Sequence, residues 1–212
     1  MNNFVKRSLT SLPLLIILFF SIINNFVMIF FLFFVFFIAF IEFYKIVSRC
    51  FIDKKKVFYT SLIIIIYLSF FVSHTYIFLI KDNYKEFFIF ILLICISTDL
   101  GGYFFGKLFK GKKLTKISPN KTYSGMIGSF ICSLIVFLIF YLNNFFTLNF
   151  VILTVIISLT SQLGDLFISF LKRKAKIKDT GNLLPGHGGI LDRIDGILFA
   201  LPLGISIIYF FY

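Results

Sequence analysis

The chemistry of this chain is organised around residues 161–196, which read SQLGDLFISFLKRKAKIKDTGNLLPGHGGILDRIDG. This stretch leaves one apolar run, passes through a basic and glycine-rich segment, and enters another apolar run. Elsewhere the sequence consists mostly of apolar segments separated by short basic loops. Ionisable residues inside apolar segments are costly near lipid, and they mark functional positions in membrane proteins. The sequence therefore predicts that much of the polar chemistry is concentrated here.

The composition predicts a helical membrane protein. Of the 212 residues, 59% are hydrophobic and 21% are aromatic, which is too apolar for an ordinary soluble domain. Apolar runs of nearly twenty residues recur along the chain, and this length matches a membrane-crossing helix. We therefore predict an all-α, polytopic protein of the inner (cytoplasmic) membrane with about seven transmembrane helices.

The predicted spans follow from the apolar runs and the polar turns between them. The first run is short for a full crossing, so the first two runs form either a tight hairpin of two crossings or a partly re-entrant pair. We expect residues 1–93 to be a transmembrane scaffold and residues 94–212 to be the catalytic region. The predicted spans are Leu12–Ile23, Phe26–Ile41, Val57–Ile80, Phe87–Phe105, Gly125–Leu142, Phe150–Leu171 and Ile194–Tyr212.

The basic residues predict the orientation of the chain. The net charge is +12, but the basic residues fall in short loops between apolar runs, which argues against a nucleic-acid partner. With the N-terminus inside, 19 of the 21 Lys and Arg residues lie in cytoplasmic segments, and only Lys81 and Lys85 lie outside. This bias follows the positive-inside rule. The polar loops at residues 107–121 and 172–193 are therefore predicted to face the cytoplasm.

Asp165 is an acidic residue inside the sixth apolar run. On a helix, Asp165, Ser169 and the pair Lys172 and Arg173 share one face, because they are spaced by three or four residues. A carboxylate, a hydroxyl and two cations on one stripe suit a phosphate that is bridged by a metal cation. A hydrogen bond that serves only helix packing is the alternative.

The end of the stretch combines a glycine turn with two acidic residues. The segment Gly186–Gly189 can turn sharply and bring backbone N–H groups close to an anion, and a loop that merely needs flexibility is the alternative. His187 suits either phosphate positioning or proton transfer, and an ordinary solvated histidine is the alternative. Asp192 and Asp195 share one face at the start of the last span, and a helix cap explains only one of them. Together with Asp165 they offer oxygen ligands for Mg²⁺.

Asp99 is a second acidic residue within an apolar run, and a basic loop follows it at residues 107–121. A clamp on anionic lipid head groups explains the lysines of this loop. It does not explain Ser118–Thr122, a proline-containing turn with two hydroxyls and one Lys.

These polar residues resemble the signature of the phosphatidate cytidylyltransferases, also called CDP-diacylglycerol synthases. The resemblance covers roughly residues 94–212, and the N-terminal third matches only as hydrophobic scaffold. The signature consists of S-x-L-K-R at 169–173, K-D-x-G at 178–181 and L-P-x-H-G-G-I-x-D-R-I-D at 184–195. Upstream motifs that agree are D-L-G-G-Y at 99–103, G-K-L-F at 106–109, I-S-P-x-K-T at 117–122 and Q-L-G-D at 162–165.

The resemblance implies an enzyme of phospholipid biosynthesis that transfers CMP from CTP to phosphatidate, giving CDP-diacylglycerol and pyrophosphate. It implies Mg²⁺ held by Asp165 and Asp192, with K⁺ as a cation that could share the site. CTP, phosphatidate and the lipid bilayer are the expected partners, and a homodimer is one option. The implied catalytic residues are Asp165, Asp192, Lys172, Arg173 and Asp195. The implied substrate-binding residues are Asp99, Ser118, Lys121, Ser169, Lys178, Asp179, His187, Gly188, Gly189 and Arg193.

Three positions depart from the family pattern. Leu100 and Ser124 replace residue types that are common in the family, and Ile168 stands where many members carry Glu. A metal-ligand set that includes that Glu is therefore in doubt for this chain.

Two other functions compete with this interpretation. A CTP-dependent lipid kinase would share the nucleotide, the metal and the membrane-bound acceptor. A transporter or ion pathway would be lined by Asp99 and Asp165, but a long basic and glycine-rich cytoplasmic loop is uncommon in transporters. The Asp, Gly and Arg spacing of the CDP-alcohol phosphotransferases is absent from the sequence.

Overall fold

A computed structural model describes residues 13, 16–115, 118, 121–181, 183 and 188–211. Over these residues the chain is almost entirely helical and contains no β-strand. Residues 16–23 are helical, and Asp82–Tyr84 form one turn of 3₁₀ helix. The long helices are α1 (Asn25–Cys50), α2 (Lys54–Ile80), α3 (Lys85–Phe109), α4 (Tyr123–Leu142), α5 (Phe150–Lys174) and α6 (Leu191–Phe211).

In the described residues, these six helices are long and apolar enough to cross a membrane. This confirms the predicted class, a polytopic helical membrane protein. The predicted number was seven, so the count differs by one within the described part of the chain. The additional predicted span, Leu12–Ile23, includes residues 12, 14 and 15, which lie outside the described residues.

The helices extend further into the polar segments than predicted. Helix α1 continues to Cys50, so Glu42 is helical, and the loop predicted at Glu42–Lys56 is limited to residues 51–53. The next helix begins at once because Asp53 caps it, accepting a hydrogen bond from the Lys55 backbone N–H at 2.9 Å. The prediction ended each span at its last apolar residue, whereas a helix continues until its end groups find other partners.

The long polar loop is also shorter than the predicted Lys172–Arg193. Helix α5 ends at Lys174 and α6 begins at Leu191, so the loop covers residues 175–190. The carbonyl of Ile190 starts α6 by accepting from the Arg193 backbone N–H at 2.8 Å.

The chain divides into two compact units. The first unit comprises the chain up to Asp82 together with Leu171–Ile194, and the second comprises Asn83–Phe170 and Asp195–Tyr212. The units are interleaved in sequence, because the polar loop after α5 belongs with α1 and α2. The functional division predicted at residue 93 stays a prediction. In the first unit, α1 and α2 pack together, and their buried apolar residues include Met28, Leu32, Val35, Ala39, Leu68 and Phe71.

The second unit is held together by close helix approach and buried hydroxyls. A Cβ added at Gly101 of α3 would lie 2.5 Å from the carbonyl oxygen of Gly128 on α4. Ser129 Oγ donates to the Thr98 carbonyl at 2.7 Å, and Thr98 Oγ1 donates to Ser158 Oγ at 2.9 Å. Small residues and interhelical hydroxyl bonds are the usual means by which helices associate in membranes. They join α3, α4 and α5.

Candidate active-site residues

A cavity of about 320 Å³ in the second unit brings together residues from three predicted motifs. It is lined by Asp99 from α3, Ser118 and Lys121 from the following loop, and Asp165 from α5. Its volume lies at the lower end of the range for small-molecule sites, roughly 300–1,000 Å³. Further polar side chains on its wall belong to Thr98, Thr122, Ser129 and Gln162.

Lys121 and Asp165 form an ion pair in this cavity. Ser169 Oγ donates to the same carboxylate at 3.3 Å, so the predicted shared face of Asp165 and Ser169 is confirmed. Both partners of the ion pair remain about one-quarter exposed. Such a partly exposed pair contributes little to stability.

Backbone hydrogen bonds shape the loop that carries Lys121. Lys113 and Thr122 form an antiparallel bridge, and the Leu114 N–H donates to the Lys121 carbonyl at 2.8 Å. The Lys121 N–H donates to the Ser118 carbonyl at 3.0 Å. The described part of the predicted turn is therefore ordered around Lys121. Residues 119 and 120 lie outside the described residues.

In the first unit, Asp192 at the start of α6 is the centre of a second polar network. Lys172 Nζ contacts its Oδ1 atom at 2.7 Å. Its Oδ2 atom accepts from the backbone N–H groups of Thr180 at 2.8 Å and Gly189 at 3.0 Å. Both carboxylate oxygens therefore have donors, and the network holds the two ends of the polar loop together.

The glycines of the polar loop are required by close contacts with acidic side chains. Gly188 has a φ of 85°, which favours glycine, and a Cβ there would lie 2.6 Å from Asp192 Oδ2. A Cβ at Gly189 would collide with Thr180 Oγ1 and with the carboxylate of Glu42. Packing against these groups explains both glycines, and their predicted contact with an anion stays a prediction.

The sequence analysis did not single out Thr180, and it also missed Glu42, a second acidic member of this network. Its side chain is only 3% exposed. It accepts from Thr180 Oγ1 at 2.7 Å, from the Ile190 N–H at 3.0 Å and from the Leu191 N–H at 2.8 Å. The sequence did contain an indication of its role, because Glu42 is a lone acidic residue directly after the apolar run at residues 26–41. Ionisable residues within membrane segments are candidate functional residues.

The other predicted residues lie around these two networks or outside the described residues. Asp195 accepts from the Gly196 N–H at 2.9 Å. His187 and Gly186 lie outside the described residues. Asp165 and Asp192 belong to different compact units, so their joint role as metal ligands stays a prediction. The exposed predicted residues are Arg173, Lys178, Asp179 and Arg193.

The donor set of the cavity in the second unit fits Mg²⁺. Asp99 and Asp165 offer two carboxylates, and Ser118 and Gln162 add neutral oxygens on the same wall. Mg²⁺ prefers oxygen ligands, and it usually takes one or two carboxylates and completes its shell with water and substrate phosphates. The described residues contain no group of three or more His, Cys, Asp or Glu side chains that could hold a metal ion without such help.

Comparison with known families identifies the protein family of this chain. The model of the cytidylyltransferase family matches residues 9–211, which include both polar networks. The chain belongs to the cytidylyltransferase family.

The chain is similar to family members named phosphatidate cytidylyltransferase. It is 43% identical over 136 residues to the protein of Staphylococcus haemolyticus (strain JCSC1435), covering 62% of this chain and 52% of that protein. It is 52% identical over 115 residues to the protein of Staphylococcus aureus (strain COL), covering 52% of this chain and 44% of that protein. The chain thus spans about half the length of the curated relatives that it matches.

The three departures from the cytidylyltransferase pattern lie outside the cavity wall formed by the described residues. Ile168 is 0% exposed and packs in the core of the second unit, so the Asp165 site does not depend on a carboxylate at that position. Leu100 is exposed, and Ser124 Oγ hydrogen-bonds to Thr122 Oγ1 at 2.9 Å.

Proposed function

We propose that this protein transfers CMP from CTP to phosphatidate, giving CDP-diacylglycerol and pyrophosphate. The observation that carries the proposal is the meeting of Asp99, Lys121 and Asp165 in one cavity. These residues come from three separate motifs of the resemblance, and their combination of carboxylates with an ammonium group suits a metal-bridged phosphate. The names of the similar staphylococcal proteins support the same reaction.

The reaction needs positioning and charge neutralisation more than a strong general base. An oxygen of the phosphatidate phosphate attacks the α-phosphorus of CTP and forms a new P–O bond. The bond from the α-phosphorus to the oxygen that bridges to the β-phosphorus breaks, and its electron pair leaves with pyrophosphate. Because the attacking phosphate is already an anion, the protein has mainly to hold the two substrates in line and offset their charges.

Lysine and arginine side chains are proposed to offset these charges. Lys121 and Lys172 each contact a carboxylate, so each ammonium group is held in place before a phosphate arrives. This preorganisation lowers the cost of stabilising charge in the transition state. Arg173, Lys178 and Arg193 are exposed on the polar segment and can add long-range attraction for the nucleotide.

Mg²⁺ is proposed as the cofactor, with Asp99 and Asp165 as ligands in the second unit. When bound, the cation neutralises phosphate charge and orients the nucleotide. Asp192 was predicted as a second ligand, and its part in metal binding stays a prediction because it belongs to the other compact unit. K⁺ as an additional cation stays a prediction as well.

The proposal is tested by following the phosphorus atoms of CTP. Purified protein in phosphatidate-containing micelles with Mg²⁺ receives CTP that is labelled at either the α- or the γ-phosphate. We expect α-label in the lipid extract and γ-label in pyrophosphate. Micelles with phosphatidylcholine in place of phosphatidate are the control, and they should give no labelled lipid.

The same measurement separates the proposed reaction from that of a CTP-dependent lipid kinase. A kinase transfers the γ-phosphoryl group, so γ-label would enter the lipid and CDP would be released. Label that reaches the lipid only from the γ-position, or no labelled lipid at all, contradicts the proposal.

A further inference from the structure

Glu42 belongs to a helix that the family resemblance covers only as hydrophobic scaffold, yet it contacts the polar signature loop directly. It lies on α1, eight residues before the end of that helix. A buried carboxylate carries a large desolvation cost unless its oxygens accept several hydrogen bonds. Glu42 meets this requirement with three donors, from Thr180, Ile190 and Leu191, which are 138, 148 and 149 residues away in sequence.

Two of these donors are the backbone N–H groups at the start of α6. The first N–H groups of a helix have no partner within the helix and are usually capped by a Ser, Thr, Asp or Asn side chain at the preceding residue. Here the preceding residue is Ile190, whose side chain offers no acceptor. The carboxylate of Glu42, on another helix, accepts instead from the N–H groups of Ile190 and Leu191, on either side of the helix start. Its negative charge is also favoured at a helix N-terminus.

The third donor connects Glu42 with Asp192. The Thr180 hydroxyl lies 2.7 Å from Glu42 Oε2 and 3.0 Å from Asp192 Oδ2, between the two carboxylates. The backbone N–H of Thr180 also donates to Asp192. Glu42 therefore fixes Thr180 on one side of Asp192 and the start of α6 on the other, and Asp192 in turn holds Lys172.

We infer that Glu42 is a positioning residue for the reaction, holding the polar loop so that Asp192 keeps Lys172 directed toward substrate phosphate. This inference rests on the proposed function. It assigns to α1 a role that the resemblance does not give it. The glycines agree with it, because a Cβ at Gly181 would lie 2.8 Å from Glu42 Oε1 and a Cβ at Gly189 would collide with the same carboxylate.

The first variant, Glu42→Gln, keeps the size of the side chain but directs an amide N–H₂ group at donors. Some residues do not contact the substrate but orient a side chain that does. Mutation of such a residue typically lowers activity by about 10–100-fold. We expect kcat to fall and the KM for CTP to rise, each by roughly tenfold or more on that scale. Glu86→Gln is the matched control, since Glu86 is exposed on α3 and its substitution should change neither constant.

The second pair of variants keeps the inference testable if Glu42→Gln folds poorly. Thr180→Val removes the bridging hydroxyl and leaves Glu42 its two backbone donors, so it should raise the KM for CTP, whereas Thr180→Ser should restore it. Thr75→Val is the control for the loss of a buried hydroxyl, because the Thr75 hydroxyl donates within its own helix, to the Phe71 carbonyl at 2.7 Å. A merely structural role would lower the active fraction and leave the KM unchanged.

Limited trypsin digestion gives a readout that does not depend on activity. Lys176 and Lys178 are exposed on the polar loop, and a loop released from Glu42 should be cut there faster than in the wild type. The inference is overturned if Glu42→Gln and Thr180→Val both keep the wild-type KM and the wild-type cleavage rate. If the wild type makes no labelled lipid, the proposed function fails, and the digestion still decides whether Glu42 holds the loop.

Discussion

At the residue scale, each of the two polar networks is centred on an acidic side chain with a lysine partner, Asp165 with Lys121 and Asp192 with Lys172. Asp165 and Lys121 were predicted from different motifs, and their pairing depends on the fold of the loop before α4. Asp192 was predicted as a metal ligand, which stays a prediction, and the structure shows that both of its oxygens accept from loop and lysine donors. Single-residue patterns reveal which groups are costly to bury. They do not reveal which distant donors offset that cost.

Asp165→Asn tests the cavity in the second unit. The substitution keeps the shape of the side chain and removes the charge that both Lys121 and a cation require, so turnover should fall by about 100-fold or more, as for the loss of one preorganised electrostatic element. The measurement is kcat for folded, monodisperse protein with saturating Mg²⁺. The matched control is Asp53→Asn, because asparagine caps a helix as well as aspartate does. A rate for Asp165→Asn close to that of the control would remove Asp165 from the site.

At the element scale, the type of each described long helix was predictable, and its ends were less so. Apolar runs indicated the cores of α1 to α6. The side-chain cap at Asp53 and the first backbone hydrogen bond of α6, from Arg193 to the Ile190 carbonyl, placed helix starts inside segments that were predicted as loops. The end of α1 had the largest effect, because its extension to Cys50 places Glu42 on a helix. Hydropathy records where the apolar residues stop, whereas caps determine where the helix stops.

Gly101→Ala tests the close approach of α3 and α4. The added methyl group would lie 2.5 Å from a backbone carbonyl oxygen on α4, so the helices must separate, which should cost on the order of 1–3 kcal/mol. The measurement is the midpoint of unfolding in a detergent titration. Gly106→Ala on the same helix is the control, because its nearest contact would be a Thr122 hydroxyl at 3.2 Å. Equal midpoints for the two variants would contradict this account of the packing.

At the scale of the whole molecule, composition predicted the class of protein, which the six long apolar helices confirm. The orientation inferred from the charges stays a prediction. The grouping into two compact units was not predictable, because the polar loop after α5 packs with helices at the start of the chain. The first unit contains hydrogen bonds between residues more than a hundred positions apart, and no local pattern encodes them.

The orientation is tested with single cysteines and a maleimide that does not cross membranes. The native cysteines, Cys50, Cys95 and Cys132, are first replaced by serine or alanine. Cysteines at Lys112 and Lys178 should then react only after the cells are permeabilised, and one at Asn83 should react in intact cells, as the positive-inside rule requires. If the cysteines at positions 112 and 178 were labelled from opposite sides of the membrane, the predicted orientation would be wrong.

The buried position of Glu42 also has a consequence for biosynthesis. The ribosome makes Glu42 well before Thr180, Ile190 and Leu191, since they follow it by 138 to 149 residues. During that interval α1 must enter the bilayer with a carboxylate whose eventual donors do not yet exist. Such a charge is costly at membrane depth, so the nascent helix must keep Glu42 near the water interface until the polar loop emerges. The donors that complete the environment of Glu42 are thus synthesised 138 to 149 residues after it.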